Sequence, residues 1–224
     1  MGKRGPKPGF NAKRRINTAW SAELAYAIGL LATDGCLSPP GHLIDLTSVD
    51  REQLKNFNRC VRVDFLIAPR KSSTTEKALR VQFKNVLFYE FLLSVGLTPA
   101  KSKTLGPLKI PGRYFFDFLR GSFDGDGCTY SYFDPRWRSS FMFYTSFASA
   151  SPAHLSWLRK EIYRRVGVHG HITTNGRHIT QQLKYAKADS LKLLRKMYYS
   201  RNVVCLSRKR LKIEKMLAIV GERL

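Results

Sequence analysis

The chain repeats itself. Residues 24–36 read LAYAIGLLATDGC and residues 116–128 read FDFLRGSFDGDGC. Gly29, Asp34, Gly35 and Cys36 recur as Gly121, Asp126, Gly127 and Cys128, each 92 residues further on. A single Asp-Gly is usually a helix stop followed by a turn, but four positions in register point to duplication. A duplicated chain of 224 residues folds as two related halves and is long enough to bury a sizeable core.

The segments after the two copies also correspond. Asp34 is succeeded by a short strand, a turn at Pro39-Pro40-Gly41 and a strand through HLIDLTS. Asp50 and Gln53 then read as a capping box for a helix REQLKNFNRCV. Asp126 is succeeded by TYSYF, a polar turn near Asp134-Pro135 and a strand through SFMFYTSFA. Ser151-Pro152 opens the next helix, with Ser as N-cap and Pro at the first helical position. In the first half ALRVQF alternates, with Leu79, Val81 and Phe83 on one face and Arg80 and Gln82 on the other. VLFYEFLLSVG reads as a helix closed by Gly96. In the second half HITT and HITQQL flank an Asn175-Gly176 hairpin turn, and a helix comes next around DSLKLLRKMYY. Each half is thus helix, two strands, helix, two strands, helix. The expected class is α+β, with a four-stranded antiparallel sheet per half and helices on one face. The boundaries fall as a basic flexible arm (1–18), an N-terminal half (19–105), a linker (106–115) and a C-terminal half (116–224).

The repeated element resembles the signature of the LAGLIDADG homing endonuclease family, in its single-chain form with two motifs and pseudo-symmetric halves. The second copy, LRGSFDGDG at 119–127, matches closely. The first, AIGLLATDG at 27–35, departs at Ala32, where the family often has Asp, and at Thr33, where it often has Ala. The likeness in pattern extends over residues 20–215. It implies a DNA-binding saddle made of the two sheets, and divalent-metal-dependent cleavage of both strands at a long, asymmetric DNA site. Asp34 and Asp126 hold the eighth position of each copy, which the family uses for metal binding and catalysis. The family usually adds a catalytic lysine after the last strand and helix of each half. Lys101-Ser102-Lys103-Thr104 and Arg208-Lys209-Arg210 stand there, and Lys103 and Lys209 are the expected pair. The resemblance also sets Ser48 and Ser149 at strand ends near the site, among the DNA-binding residues, where a polar side chain can hold a metal-bound water.

Elementary physics supports that chemistry independently. The segment 22–33 is apolar almost all round, so as a helix it must be buried. Ala25, Gly29 and Thr33 lie one turn apart, as do Gly121 and Gly125, and such small stripes let two helix backbones approach closely. That approach brings Asp34 and Asp126 together at two helix C-termini. The helix dipole is negative there, and like charges disfavour each other's ionised form. A divalent cation relieves both problems. Mg²⁺, or Mn²⁺, suits a site of one or two carboxylates completed by water and phosphate oxygens, and it can activate water and stabilise a leaving 3′ oxygen. The backbone atoms that complete the coordination are left open by the sequence.

Charge supplies the partner. Thirty-nine Lys and Arg against 16 Asp and Glu give a net +23, which calls for a polyanion. Nucleic acid is the leading reading; a ribosomal-type structural protein and a protein on anionic membranes are the alternatives. Within the arm, KRGPKP resembles an AT-hook that fits a minor groove, with a plain charged tail as the rival reading. Cys36, Cys60, Cys128 and Cys205 form no C-x-x-C pair and no zinc spacing. They read as thiols of an intracellular, reducing compartment. No apolar run is long enough to span a bilayer.

Twisted antiparallel ribbons fit the major groove, and their outward residues reach base edges or phosphates. Alternation nominates Asp45, Arg70, Arg80 and Gln82 in the first half. In the second it nominates Tyr130, Tyr132, Arg138, Tyr144, Ser146, His178, Thr180 and Gln182. The expected partner is double-stranded DNA, with intron RNA as a further candidate, bound by a monomer. The rival reading is an intron-RNA maturase or DNA-binding regulator that uses the fold without cleaving; the presence of both motif carboxylates favours cleavage. An intein is disfavoured by Met1-Gly2 at the start and by an end, GERL, without His-Asn. An intron-encoded or free-standing enzyme is expected instead.

Overall fold

The computed structural model describes residues 16–70, 78–174 and 179–224, with Arg138 described in its backbone alone. The arm before Ile16, the Asn175-Gly176 turn, His178 and the side chain of Arg138 lie outside the described residues. The elements run α1 (Ala22–Thr33), β1 (Gly35–Ser38), β2 (Leu43–Ser48), α2 (Arg51–Val61), β3 (Ile67–Pro69), β4 (Leu79–Lys84) and α3 (Val86–Val95). They repeat as α4 (Phe115–Asp126), β5 (Gly127–Asp134), β6 (Trp137–Ser149), α5 (Pro152–Val166), β7 (His171–Thr174), β8 (Gln181–Tyr185) and α6 (Lys187–Met197). A further helix, α7 (Ser207–Ile219), closes the chain. Sequence reasoning identifies only its Arg208-Lys209-Arg210 as a source of cations and misses the helix itself.

Each half forms one four-stranded antiparallel sheet, in the orders β1-β2-β4-β3 and β5-β6-β8-β7. The fold class is α+β. Period-two alternation sets the faces: Ile44, Leu46, Val81 and Phe83 are buried, while Asp45, Arg80 and Gln82 look outward. Phe143, Phe147, Leu183 and Tyr185 fill the inward positions of the second sheet. Helices cover the apolar faces. Phe57 of α2 lies 6.2 Å from Phe83 of β4, and Phe123 of α4 lies 5.9 Å from Phe147 of β6. Among the described residues no helix covers the opposite face of either sheet.

Local signs act as expected at most helix ends. Ser21 caps α1 by accepting from the Leu24 N–H, Ser151 caps α5 by accepting from the His154 N–H, and Gly96 closes α3 at φ 109°. The capping box on α2 does not form. Asp50 stands at the N-cap position without a side-chain cap bond, because Arg208 of α7 takes both of its oxygens. The Asp50 N–H, which a Gln53 side chain would accept from in a capping box, donates to Ser48 Oγ at 3.0 Å, and the Gln53 side chain reaches elsewhere.

Candidate functional site

The centre of the molecule is the contact between α1 and α4. Residues 24–32 of α1 are buried without a break, and α4 is buried from Phe118 to Asp124. The helices touch backbone to backbone where glycines face each other. A Cβ on Gly29 would sit 2.2 Å from the Phe118 carbonyl oxygen, and one on Gly121 would sit 2.1 Å from that of Tyr26. No other residue fits either position.

The two departures from the motif are explained by the same contact. A Cβ on Gly125 would lie 1.9 Å from Thr33 Oγ1, so the larger seventh residue of one copy is matched by the smaller one of the other. Thr33 turns its hydroxyl back to the Leu30 carbonyl at 3.0 Å. At the sixth position Ala32 is buried and needs nothing, whereas Asp124 is 1% exposed and needs partners. It finds Tyr26 Oη and the Leu206 N–H, both donating to Oδ2 at 2.7 Å, while Oδ1 is unpartnered. Burial pushes the Asp124 carboxyl up to about 6.

This packing delivers Asp34 and Asp126 to one end of the helix pair. Asp34 Oδ2 is 3.0 Å from the place a Gly125 side chain would occupy. Asp34 is half-buried and accepts a 2.6 Å hydrogen bond from Gln53 Nε2, whose own Oε1 accepts from Ser48 Oγ. Burial, and then the negative charge of Asp126, raise its pKa to about 6. Asp126 reaches further into solvent, yet the protein packed behind it still raises its pKa. A cleft of about 470 Å³ opens at Asp34 between Ser48, Gln53, Arg70 and Arg208.

One lysine from each half stands behind these carboxylates. Lys101 is 6% exposed and donates to the Gly35 carbonyl. Lys209 donates to the matching Gly127 carbonyl at 2.7 Å, and also lies within hydrogen-bond reach of the Phe123, Asp124 and Gly125 carbonyls. Both ammonium groups thus neutralise the negative ends of the motif helices. Burial lowers the pKa of each, opposed by nearby negative charge from Asp34 among others.

Of the nominated lysines, Lys209 stands at this centre. Lys103 is exposed, and the buried neighbour of Asp34 and Asp126 is Lys101, two residues earlier. A cluster with Lys at both 101 and 103 offers no way to choose between them by spacing; of the two, Lys101 is the one buried beside the carboxylates. Sequence reasoning misses Gln53 as a site residue because its spacing from Asp50 imitates a cap. Ser48 lies next to Asp34 through Gln53 and accepts from the Asp50 N–H at 3.0 Å, and Ser149 accepts from the matching Ser151 N–H at 3.1 Å.

The open sheet faces carry the other nominated residues. Asp45 accepts from Thr47 and Gln82 at 2.8 and 2.9 Å and pairs with Arg80 at 3.7 Å, so it orients a polar cluster. Arg70 is exposed and donates to Thr47 at 3.3 Å. The second sheet presents aromatic rings instead. Tyr130 and Tyr144 stack at 5.0 Å, Tyr132 stacks on Tyr144 at 6.3 Å, and Lys184 Nζ lies 5.9 Å from the Tyr130 ring. Ser146 is in the outward register but buried, 3.1 Å from Cys128 Sγ. Thr180 and Gln182 are exposed.

The residues present fit a hard divalent ion. Two carboxylates converge at helix C-termini, and each has its ionised form penalised by its surroundings. Among the described residues no third His, Cys, Asp or Glu joins them. That sparse donor set leaves room for water and phosphate oxygens, as Mg²⁺ prefers. Among the described residues no helix is long and apolar enough to cross a membrane.

No family model matches the chain, and no curated protein matches it. Solved structures do. Full-length DUF199/WhiA from Thermatoga maritima is similar with a TM-score of 0.55 at 14% identity, over 93% of this chain and 64% of that one. The I-LtrWI LAGLIDADG homing endonuclease, solved bound to target DNA, gives 0.59 at 11% identity over 89% and 90%. I-DmoI in complex with DNA and Mn gives 0.52 at 14% identity over 80% and 98%. The chain therefore has the LAGLIDADG fold, shared with homing endonucleases. It spans less than two thirds of the full-length WhiA protein.

Proposed function

We propose that this chain is a monomeric, site-specific DNA endonuclease of the homing type, intron-encoded or free-standing, that uses Mg²⁺ or Mn²⁺ to hydrolyse both strands of a duplex. The convergence of Asp34 and Asp126 across a helix contact that only glycine fits, beside the two antiparallel sheets, carries the reading. One carboxylate per half suits two scissile phosphates, one on each strand. I-LtrWI and I-DmoI, which share the fold, were solved with DNA, the latter also with Mn.

In each cut, water adds to phosphorus, the P–O3′ bond breaks, and the 3′ oxygen takes a proton. Asp34 and Asp126 would hold the metal, which when bound supplies charge to activate water and stabilise the departing oxygen. The chain's residues do the rest. Gln53 fixes the orientation of Asp34 through its Nε2–H. Lys101 has one acceptor and further N–H groups to offer a phosphate. Arg70 and Arg208 supply positive charge at the mouth of the cleft. The sheets hold the duplex by its phosphates and groove edges.

The test is incubation of the purified protein with a plasmid library and Mg²⁺, beside Asp34→Asn and Asp126→Asn variants. Linear product that disappears with EDTA and with either variant supports the reading. Tight duplex binding without cleavage under Mg²⁺ or Mn²⁺ rejects it in favour of a binding protein.

A further inference from the structure

A second basic surface lies on the helical side of the molecule, away from the open sheet faces. Leu54, Phe57 and Val61 turn α2 toward the core. Arg51, Lys55, Arg59 and Arg62 recur at helical spacing along the opposite, exposed stripe. Among the described residues none of the four is in an ion pair, whereas Arg164 and Arg165 of α5 share Glu161. The stripe runs roughly 16 Å at the helical rise per residue.

These cations line a cleft of about 770 Å³ beside Leu66, which is 82% exposed. Arg59 and Arg62 also line an adjoining cleft of about 340 Å³ that contains Tyr199. Tyr199 is 57% exposed. It is nevertheless fixed: its hydroxyl donates to Asp117 at 2.9 Å, and the Arg120 guanidinium lies 5.7 Å from its ring centre. Glu23 and Asp64 are the carboxylates along this path, so the cations outnumber them.

Cations outside any ion pair, leading to a fixed and exposed aromatic ring, are the chemistry of single-strand recognition. The cations track the phosphates, and a base of any identity stacks on the ring. A duplex keeps its base faces in its own stack and has nothing to offer Tyr199. We propose that this groove binds single-stranded nucleic acid while the sheets hold a duplex. RNA and single-stranded DNA share the required chemistry. The site is independent of whether the carboxylate centre cleaves.

The test is fluorescence anisotropy with labelled mixed-sequence RNA and DNA strands of about 12 nucleotides, within the length such grooves hold. It is run in EDTA, with and without saturating unlabelled duplex. Strand binding should persist with the duplex present, and the tighter of the two strands identifies the source. Replacing Arg51, Lys55 and Arg59 together by Gln should weaken strand binding about tenfold and lower the salt slope by about 2. Tyr199→Ala should weaken it at least about fivefold, from the lost stacking of one base, and Tyr199→Phe should restore it. Duplex affinity should stay as in the wild type, and so should thermal melting in the triple variant. Displacement of the strand by duplex, equal loss of strand and duplex affinity in the triple variant, or unchanged strand affinity would each overturn the proposal.

Discussion

The two halves share a scaffold and differ at the carboxylates. Both place an Asp at the end of a glycine-bearing helix, and both set a lysine on the carbonyl of the next glycine. Around Asp34 the site is enclosed: Gln53 holds the carboxylate, and Ser48 holds Gln53. Around Asp126 it is open, and among the described residues no hydrogen bond reaches the carboxylate. The place on α5 that matches Gln53 is His154, which turns Nδ1 to the Gly106 carbonyl at 3.1 Å. Burial lowers the His154 pKa to about 4, so its ring is neutral. The lysines differ in the opposite sense. Lys209 has more carbonyls in reach than it has N–H groups, whereas Lys101 has one. Duplication preserved the surfaces that bring the helices together and let the surroundings of each carboxylate drift.

The largest effect tests whether both centres work. Asp34→Asn and Asp126→Asn should each remove double-strand cleavage by about 10³-fold, because charge stabilisation by a lost metal is worth several kcal/mol. Each variant should still nick, and strand-resolved gels should show opposite strands surviving. Identical nicked strands from both variants would mean that the carboxylates serve one shared centre.

The shared scaffold can be broken at its glycines. Gly29→Ala and Gly121→Ala each drive a methyl into a backbone oxygen of the other helix. Each should cost about 3 kcal/mol or more, by the same amount within error, in denaturant melts. A tolerated alanine at either position would show that the helices can part without loss of the fold.

The difference between the halves is sharpened at Gln53. A residue that orients a metal-holding carboxylate typically contributes about 10- to 100-fold. Gln53→Leu should therefore slow cutting of the Asp34-dependent strand by about that factor and leave the other strand unchanged. His154→Gln should slow neither strand by more than about twofold, as its ring is bonded to the Gly106 carbonyl and not to Asp126. Equal slowing of both strands by Gln53→Leu would place Gln53 in a general structural role.

The elements are legible because they are local. The repeat, the alternation in LRVQF, the Ser151-Pro152 start and the Gly96 stop each act within a few residues, and each appears in the fold. Duplication marks the site at Asp34 and Asp126, and the likeness to the family adds Lys209 and Ser48, which stand beside them. The contacts that build the site cross long separations. Tyr26 meets Asp124 across 98 residues and Lys209 meets Gly127 across 82, and no spacing rule encodes either. Gln53 misleads for a related reason. Its spacing from Asp50 satisfies a capping rule, but Arg208, 158 residues from Asp50, claims the cap.

The smallest effect concerns stability without metal. The folded pKa of Asp34 lies near 6 against an ordinary 3.8, so the folded state holds a proton that the unfolded chain has released. Stability from this group is therefore full below about pH 4 and is lost as pH rises through 6. With allowance for partial exposure the loss is about 1–2 kcal/mol. In EDTA, Asp34→Asn should melt higher than wild type at pH 7.5 by that amount, because a neutral amide faces Gln53 and no like charge faces Asp126. At pH 4 the two should converge. Asp126→Asn should also stabilise, by relieving the same repulsion, while leaving Asp34 to titrate closer to its ordinary range. Adding Mg²⁺ should reverse the order, raising the wild type above both variants, since only the paired carboxylates hold the ion. Wild type melting above both variants in EDTA at pH 7.5 would show that the two carboxylates are stabilised by the fold. They would then not be held in opposition to await a cation.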